Sequence, residues 1–352
     1  MNLIDYGFLP NTLTEEKSGM PARITAVHKE RFDAVCENGE IHARLKAGVY
    51  YNDCREEFPT AGDFVMLEYN PSGDSLITAT LPRKTFFSRR NPTAGRGEQA
   101  VAANFDYVFI MQSLNHDFNE KRLERYLTLA WQSGALPVVI LTKADLTEDC
   151  SGQIRKAERI AAGVGVFAVS AKSGYGIESL SEYLKPRKTL VFLGSSGVGK
   201  SSLVNALAGE EIMSVSDIRE DDSKGRHTTT HRQLIMLKSG VMIIDTPGMR
   251  EIGMWDAAEG IERSFEDVEK HLGKCRFSDC SHSGEPGCAI KAAIESGELS
   301  QSRWESFQQL TGEVKGARFM IDKQQALREK EQWHKSVSKQ LKNMKKSGEL
   351  RK

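Results

Sequence analysis

The chain has 352 residues, of which 39% are hydrophobic and 27% charged, and its 48 Lys and Arg residues balance 48 Asp and Glu residues. This composition indicates a globular protein of two or three domains, and the zero net charge excludes a chain that acts simply as a polycation on nucleic acid. No apolar run approaches the roughly 18 residues of a membrane-spanning helix, no secretory leader begins the chain, and no heptad pattern is present. We therefore expect a cytoplasmic monomer with no membrane partner.

Short β-strands are predicted in the first quarter of the chain. Turn signals, such as Asn38-Gly39 and the Pro-Ser-Gly sequence at 71–73, separate five segments of strand-like composition. The predicted strands are 22–27, 32–36, 41–45, 64–69 and 76–81. Five short strands in about sixty residues are typical of a small barrel. An OB-fold and a generic β-domain without a ligand both fit this pattern.

Two segments of the chain are basic. Residues 85–98 are polar and carry Arg89, Arg90 and Arg96, which predicts a linker or an exposed basic loop. Residues 313–352 are rich in lysine and arginine. We interpret this tail either as an RNA contact or as a solvated chain end.

Strand and helix patterns alternate between residues 105 and 245, which is typical of a mostly parallel sheet covered by helices. The predicted strands are 107–111, 137–141, 166–169, 189–193 and 241–244, and the predicted helices are 120–133, 151–162, 177–184 and 199–208. Such sheets bind ligands at the carboxyl ends of their strands. The motifs that end these strands are therefore the candidate site.

A phosphate-binding loop follows the fourth of these strands. Residues 194–201 match the P-loop pattern in full, between an apolar strand and a helix. In such a loop the backbone N–H groups cradle phosphates, Lys200 neutralises phosphate charge and the Ser201 hydroxyl can bind Mg²⁺. The flanking strand and helix disfavour the alternative, a chance glycine-rich turn. The predicted nucleotide-binding residues here are Gly194, Ser195, Ser196, Gly197, Val198, Gly199, Lys200, Ser201 and Ser202.

Three further motifs end other strands of the sheet. Asp245-Thr-Pro-Gly248 offers a carboxylate for Mg²⁺ and an N–H for a γ-phosphate. The Asp145 carboxylate can accept hydrogen bonds from the N1–H and amino group of guanine, which adenine does not offer. Residues 170–172 suit a backbone contact to guanine O6. The predicted base-binding residues are Thr142, Lys143, Ala144, Asp145, Ser170, Ala171 and Lys172.

A cluster of metal-ligand residues follows the sheet. Cys275, Cys280, His282 and Cys288 offer three thiolates and one imidazole within fourteen residues. This set suits a closed, tetrahedral structural zinc site, and thiolate softness favours zinc over magnesium or calcium. The alternative is a group of free cysteines in a small core. The other three cysteines, Cys36, Cys54 and Cys150, are interpreted as small core residues.

The order of these motifs resembles a known family. The five nucleotide motifs of GTPases occur here in the order G4 (142–145), G5 (170–172), G1 (the P-loop, 194–201), G2 (225–231) and G3 (245–248). This is a circular permutation of the usual G1-to-G5 order. Together with the Cys/His spacing, this order resembles the RsgA (YjeQ) family, the small-subunit-dependent GTPases of ribosome assembly, over nearly the whole chain. The resemblance implies a multi-domain α/β protein with an OB-like β-barrel (1–85), a circularly permuted P-loop GTPase domain (86–256), a helical zinc-binding module (257–312) and a basic tail (313–352).

The resemblance also implies an activity and its partners. A member of this family would hydrolyse GTP to GDP, bind the small ribosomal subunit through 16S rRNA, and hold one structural Zn²⁺ and a Mg²⁺ with GTP. Its zinc ligands match the four Cys and His residues above. Residues 225–231 resemble G2, in which Thr229, with Thr228 and Thr230 as alternatives, would join Ser201 and Asp245 around Mg²⁺. One alternative function is a GTPase or nucleotide switch that docks on a protein partner through the zinc module. Another is a nucleotide-dependent RNA-binding switch in which hydrolysis is incidental.

The sequence identifies the residue that positions the attacking water less clearly than it identifies the nucleotide-binding residues. Many GTPases place a glutamine just after G3, whereas this chain has Met249, which cannot orient a water molecule. We therefore expect slow hydrolysis alone and faster hydrolysis on the small subunit. His227 and His231 are candidates for positioning water, and solvated histidines are the alternative.

One residue departs from the family pattern. The family's G4 usually begins with asparagine, where this chain has Thr142. Asp145 is kept, so guanine preference should survive. The sequence leaves open how G4 is tied to the P-loop.

Overall fold

The structure is a computed structural model, and it describes residues 2–10, 18–52, 57–90, 98–115, 118–214, 232–245 and 257–319. The chain forms two compact units. Unit 1 comprises residues 1–90, 99–253 and 259–266, and unit 2 comprises 91–98, 254–258 and 267–352. Within the described ranges, no helix combines the length and apolar character needed to cross a membrane.

Five strands close into a barrel at the start of unit 1. They are β1 (Met20–Val27), β2 (Phe32–Cys36), β3 (Gly39–Leu45), β4 (Phe64–Glu68) and β5 (Ser75–Thr80). Their order is β1-β2-β3-β5-β4, and β4 pairs back onto β1 to complete the ring. Alternating side chains such as Ile24, Val65 and Ile77 fill the interior. The five-stranded barrel predicted from the sequence is confirmed.

The first part of the segment predicted as a linker or exposed basic loop, 85–98, instead forms a strand that pairs with the strand following the segment. β6 (Phe86–Arg90) and β7 (Glu98–Ala103) form a two-stranded sheet. Phe87 is buried and stacks on Phe105, with ring centroids 4.8 Å apart. The neighbouring Arg83 is not an exposed cation, because its guanidinium makes two 2.8 Å hydrogen bonds to the buried carboxylate of Asp63. The arginines obscured the strand pattern in the sequence.

The remaining strands of unit 1 form the nucleotide-binding sheet. They are β8 (Tyr107–Ser113), β9 (Leu136–Thr142), β10 (Val166–Ala168), β11 (Thr189–Gly194), β12 (Arg232–Met236) and β13 (Met242–Asp245), with helices α1 (Glu120–Gln132), α2 (Ser151–Ile160) and α3 (Lys200–Ala208). The order is β10-β9-β8-β11-β13-β12. The first five strands are parallel and β12 is antiparallel to β13. The predicted helix at 177–184 is wrong, since only a 3-10 turn, Ile177–Leu180, forms there.

The barrel and this sheet are hydrogen-bonded to each other. β12 pairs antiparallel with β1, with Ala26 opposite Gln233 and Val27 opposite Arg232, so eleven strands form one continuous sheet. β12 was not predicted, because its five residues, Arg-Gln-Leu-Ile-Met, do not alternate between apolar and polar side chains. It begins immediately after residues 225–231, the segment that resembles G2.

A buried arginine joins the barrel to the sheet. Arg23 on β1 is 1% exposed and donates to the carbonyls of Tyr6 (2.5 Å), Gly62 (3.2 Å) and Asn104 (2.9 Å). It also donates to the hydroxyl of Thr189 at the start of β11. Burial lowers the pKa of Arg23 to about 10. These bonds to four acceptors from distant parts of the chain compensate for burial of its charge.

A helix docks on the sheet's helical layer just before the chain enters unit 2. α4 (Ala258–Ser264) contacts α1 through Gly260, whose N–H donates to the Gln132 side chain at 3.0 Å. A Cβ on Gly260 would lie 2.2 Å from the carbonyl oxygen of Thr128. Only glycine allows this approach. α5 (Glu266–Glu269), α6 (Ala289–Glu295) and α7, a helix over residues 301–319, follow.

We expect the substitution Gly260→Ala to lower the free energy of unfolding of the protein by about 2 kcal/mol or more, because the new methyl group must displace backbone rather than a flexible side chain. Chemical denaturation measures this. The control is Gly152→Ala on α2, where nothing lies within 4 Å of the new Cβ and alanine is the better helix former. Equal stability of the two variants would contradict the close contact between α4 and α1.

Candidate functional site

The P-loop lies at the carboxyl end of β11, in the middle of the sheet. β11 ends at Gly194 and α3 begins at Lys200, so the predicted phosphate-binding residues 194–202 span the strand end, the loop and the first turn of the helix. Gly199 precedes the helix with φ 100° and ψ 21°, a conformation that favours glycine. Backbone N–H groups at the start of a helix suit an anion.

Two of the predicted motifs meet in an ion pair. The ammonium group of Lys200 donates a hydrogen bond to the Oδ1 atom of Asp245, at the end of β13. The Asp245 side chain is 4% exposed and that of Lys200 is 29% exposed. The carboxylate predicted for Mg²⁺ therefore lies at the P-loop lysine. β11 and β13 are neighbouring parallel strands, which explains why their ends meet.

The two predicted base-binding motifs also meet. β9 ends at Thr142, and the hydroxyl of Ser170 donates to Oδ1 of Asp145 at 2.6 Å. The N–H of Ala144 donates to the carbonyl of Val169 at 3.1 Å. Lys143 has φ 60°, which turns the chain sharply between strand and carboxylate. Ser170 is fully buried and holds one carboxylate oxygen in a fixed orientation.

Thr142 contacts the P-loop directly. Its side-chain hydroxyl lies 2.5 Å from the carbonyl oxygen of Val198 and 3.3 Å from that of Gln112. The tie between G4 and the P-loop, which the sequence left open, is therefore made by the threonine hydroxyl.

Sequence reasoning missed one supporting residue. The side chain of Gln112, at the end of β8, accepts from the N–H of Asn119 at 3.0 Å and donates to its carbonyl at 3.1 Å. These bonds anchor the start of α1 to the strand that lies between G4 and the P-loop. The signal available in the sequence was a glutamine directly after the apolar run 107–111.

Four predicted residues lie outside the described ranges. They are His227, Thr229, His231 and Gly248. Their proposed roles therefore continue to rest on the sequence.

The Cys/His residues form a compact cluster in unit 2. The ligand atoms of all four residues lie within 4.8 Å of one another. The Nδ1 atom of His282 is 3.4 Å from the sulfur of Cys275, 3.7 Å from that of Cys280 and 3.5 Å from that of Cys288. A tetrahedral zinc ion with ordinary Zn–S and Zn–N bond lengths separates its sulfur and nitrogen ligands by about 3.6 Å. The four residues thus have the chemistry and the spacing that zinc requires.

Backbone N–H groups support the sulfur atoms. The N–H of Ala289 donates to the sulfur of Cys275 at 3.4 Å, and that of Lys291 donates to the sulfur of Cys288 at 3.5 Å, which makes Cys288 the N-cap of α6. The Ala289 bond lowers the pKa of Cys275, whereas desolvation raises the pKa of Cys280 to about 11. A bound cation would favour the thiolate form of all three cysteines.

Comparison with known proteins identifies the family. The sequence model of the family described as RsgA GTPase matches residues 80–255. The chain is 49% identical over 317 residues to small ribosomal subunit biogenesis GTPase RsgA 2 of Listeria monocytogenes, covering 89% of this chain and 90% of that protein. The chain belongs to the RsgA GTPase family. It is a GTP hydrolase of the circularly permuted type, as its motif order predicted.

Other relatives of the RsgA family agree. Small ribosomal subunit biogenesis GTPase RsgA 1 of Listeria innocua is 46% identical, over 97% of each chain. The crystal structure of YjeQ from Thermotoga maritima matches with a TM-score of 0.63 and 29% identity, covering 84% of this chain and 99% of that one. YloQ, a circularly permuted GTPase, has the same fold, with a TM-score of 0.58 and 24% identity over 86% of this chain and 98% of that one. A second sequence model, described as 50S ribosome-binding GTPase, matches residues 189–347.

Proposed function

We propose that this GTPase binds the small ribosomal subunit during its late maturation, and that GTP hydrolysis releases it from 16S rRNA. Support comes from two curated relatives, which are named small ribosomal subunit biogenesis GTPases and are 49% and 46% identical to this chain. The observation that carries the proposal is the meeting of G1, G3, G4 and G5 at one edge of the sheet, since this edge can bind a guanine nucleotide.

The proposed nucleotide site divides into a phosphate end and a base end. At the phosphate end, the P-loop N–H groups and Lys200 bind the phosphates, while Ser201, Thr229 and Asp245 hold Mg²⁺, which would neutralise charge on the phosphates. The carboxylate of Asp245 fits this role because it is buried, lies at the P-loop and offers the oxygen ligands that Mg²⁺ prefers. At the base end, Asp145 reads the guanine.

Hydrolysis is proposed to be slow until the partner binds. Met249 follows G3 and offers neither a proton donor nor a strong acceptor for water. His227 and His231 are the residues that we propose to position water once rRNA orders the site. A shift of G3 on loss of the γ-phosphate would be passed along the chain from residue 248 to α4 and then to unit 2. The nucleotide site is thus covalently connected to the Cys/His module.

The barrel and the Cys/His module are the proposed rRNA contacts, with one structural Zn²⁺ in the module. The protein is proposed to act as a monomer in the cytoplasm, where ribosomal subunits mature. A GTPase that docks on a protein through the same module is the competing proposal. A third option, suggested by the name of the second matching family model, is binding to the large subunit.

GTP hydrolysis by the purified protein distinguishes these proposals. We expect low turnover alone and stimulation on the order of 100-fold or more by small subunits, with little effect of large subunits or bare RNA. The variant Lys200→Ala serves as the control, because loss of the P-loop lysine should abolish both rates. Stimulation only by large subunits, or by none of the additions, would overturn the small-subunit proposal.

A further inference from the structure

A glutamate carboxylate holds the loop that carries three of the four predicted zinc ligands. The loop comprises residues 280–288, and Glu285 lies within it. Its Oε1 atom accepts hydrogen bonds from the hydroxyl of Ser281 and, at 2.9 Å, from the N–H of the same residue. Its Oε2 atom accepts from the N–H of Ser283 at 2.8 Å and from that of Gly284 at 3.0 Å. A carboxylate has about four acceptor positions, so these bonds use its full capacity.

The remaining N–H group of this stretch is directed to a sulfur atom. The N–H of His282 donates to the sulfur of Cys280. Three N–H groups of residues 281–284 therefore bind the carboxylate, and one binds a predicted zinc ligand. Glu285 is also connected to the last ligand of the cluster, because its backbone carbonyl accepts from the N–H of Cys288 at 3.3 Å.

These bonds fix the backbone of His282. Its φ is 60°, in the left-handed region that residues with a side chain rarely adopt. The torsion angles of a residue follow from the orientations of the two planar peptide groups that flank it. The Cys280 sulfur holds the peptide before His282, and the Glu285 carboxylate holds the peptide after it, through the N–H of Ser283. Without the carboxylate, the second peptide would lose this bond, and the unfavourable conformation would lose its support.

The conformation of His282 decides where its imidazole lies. The Nδ1 atom is 3.4 Å, 3.7 Å and 3.5 Å from the three sulfur atoms, so this nitrogen faces all of them. Glu285 itself is not part of the ligand set, since the group of atoms that lie within 4.8 Å of one another comprises the three cysteines and His282. Any effect of Glu285 on a bound metal therefore passes through the backbone.

We propose that Glu285 is a positioning residue for the zinc site: its carboxylate holds the peptide after His282 and so directs Nδ1 toward the three sulfur atoms before the metal binds. The inference rests on the proposed structural zinc and deepens it, because it assigns part of the zinc affinity to a side chain that does not contact the ion. Residues that orient metal ligands contribute about 10- to 100-fold to metal affinity in known sites.

Three variants test this role. Glu285→Ala removes all four hydrogen bonds to the carboxylate. Glu285→Gln keeps the size of the side chain and one acceptor oxygen, but its NH₂ group cannot accept from the two N–H groups that it would face. Glu295→Ala is the matched control, because Glu295 is a glutamate of the same unit whose exposed carboxylate makes a 3.8 Å ion pair with Lys291 at the surface of α6.

The dissociation constant for zinc is measured on the purified protein by competition with a chromogenic chelator. E285A should bind zinc about 10- to 100-fold more weakly than the wild type. E285Q should fall between the two, and E295A should remain within about twofold of the wild type. A second probe, cobalt(II), reports through its visible absorption which atoms bind the metal. At saturating cobalt(II), E285A should give the wild-type spectrum, because its four predicted ligands are unchanged.

The outcomes are distinguishable. If the wild type binds zinc and E285A binds it equally tightly, the inference is overturned. A changed cobalt(II) spectrum of saturated E285A would overturn it as well, since Glu285 would then belong to the ligand set. A wild type that binds no zinc would refute the proposed zinc site itself. Should E285A not fold, E285Q takes its place, and wild-type zinc affinity in E285Q contradicts the inference.

Discussion

Removal of the zinc ion that we propose for the Cys/His cluster is expected to unfold the helical structure around it in unit 2. Three sulfur atoms and one imidazole lie within 4.8 Å of one another, and without a cation these polar groups are crowded together in a loop. Two of the helices near the loop are short, α5 with four residues and α6 with seven, so these two provide little packing of their own. Apparent binding free energies of about 10–16 kcal/mol in zinc-finger peptides show how strongly such a site can stabilise a fold.

Tryptophan fluorescence can report this unfolding. The ring of Trp304 lies edge-on to that of His282, with centroids 5.4 Å apart, and it stacks on Phe307. We expect one zinc ion per chain in the purified protein. Its removal by a strong chelator should shift the Trp304 emission to longer wavelength and lower the helix content, and added zinc should reverse both changes. The variant Trp304→Phe assigns the signal to this residue.

A pair of cysteine substitutions provides the matched test. Cys280→Ser replaces a predicted ligand and should lower the free energy of unfolding of unit 2 by about 5 kcal/mol or more. Cys150→Ser alters a partly exposed cysteine outside the cluster, and it should leave stability within about 0.5 kcal/mol. An unchanged fold after verified loss of the metal would show that the cluster is a set of packed cysteines instead.

The substitution Asp145→Asn is expected to reverse the base preference of the enzyme from GTP to xanthosine triphosphate (XTP). A carboxylate only accepts hydrogen bonds, which suits the N1–H and amino groups of guanine. The amide of asparagine has an N–H₂ group that would face those donors, whereas xanthine presents a carbonyl oxygen in place of the amino group. Hydrogen bonds to a charged partner contribute about 1.5–3 kcal/mol each, so GTP affinity should fall by about 100-fold or more.

The ratio of kcat/KM for GTP and XTP measures this change. Asp145→Asn should favour XTP, and Lys200 and the P-loop should still bind its phosphates. Ser170→Ala is the control, because it removes the 2.6 Å hydrogen bond that orients Asp145 but leaves the carboxylate in place. It should lower kcat/KM for GTP and for XTP by about tenfold or less, and the preference for GTP should remain. A variant D145N that still prefers GTP would place base recognition on another residue.

Local signals accounted for most of what could be predicted. The alternating and continuous apolar runs of the five barrel strands and of β8, β9, β11 and β13 follow from side-chain period and burial, which a single segment reveals. The P-loop and the Cys/His cluster each lie within one short segment of the chain. The spacing of their residues was therefore enough to indicate what each motif binds. The segments that were misread are β6, whose arginines masked a buried Phe87, and residues 177–184, whose helical pattern is realised as one 3-10 turn.

By itself, the sequence determined most of the elements, the motif order and therefore the family. Only the tertiary structure decided which distant groups meet: Lys200 with Asp245, Thr142 with Val198, and Arg23 with Thr189. Periodicity describes how one segment divides between core and solvent, but it contains no information on strand order or on the identity of a side chain's partner. Those contacts arise when parallel strands bring their ends to one edge and when β12 joins the barrel to the sheet.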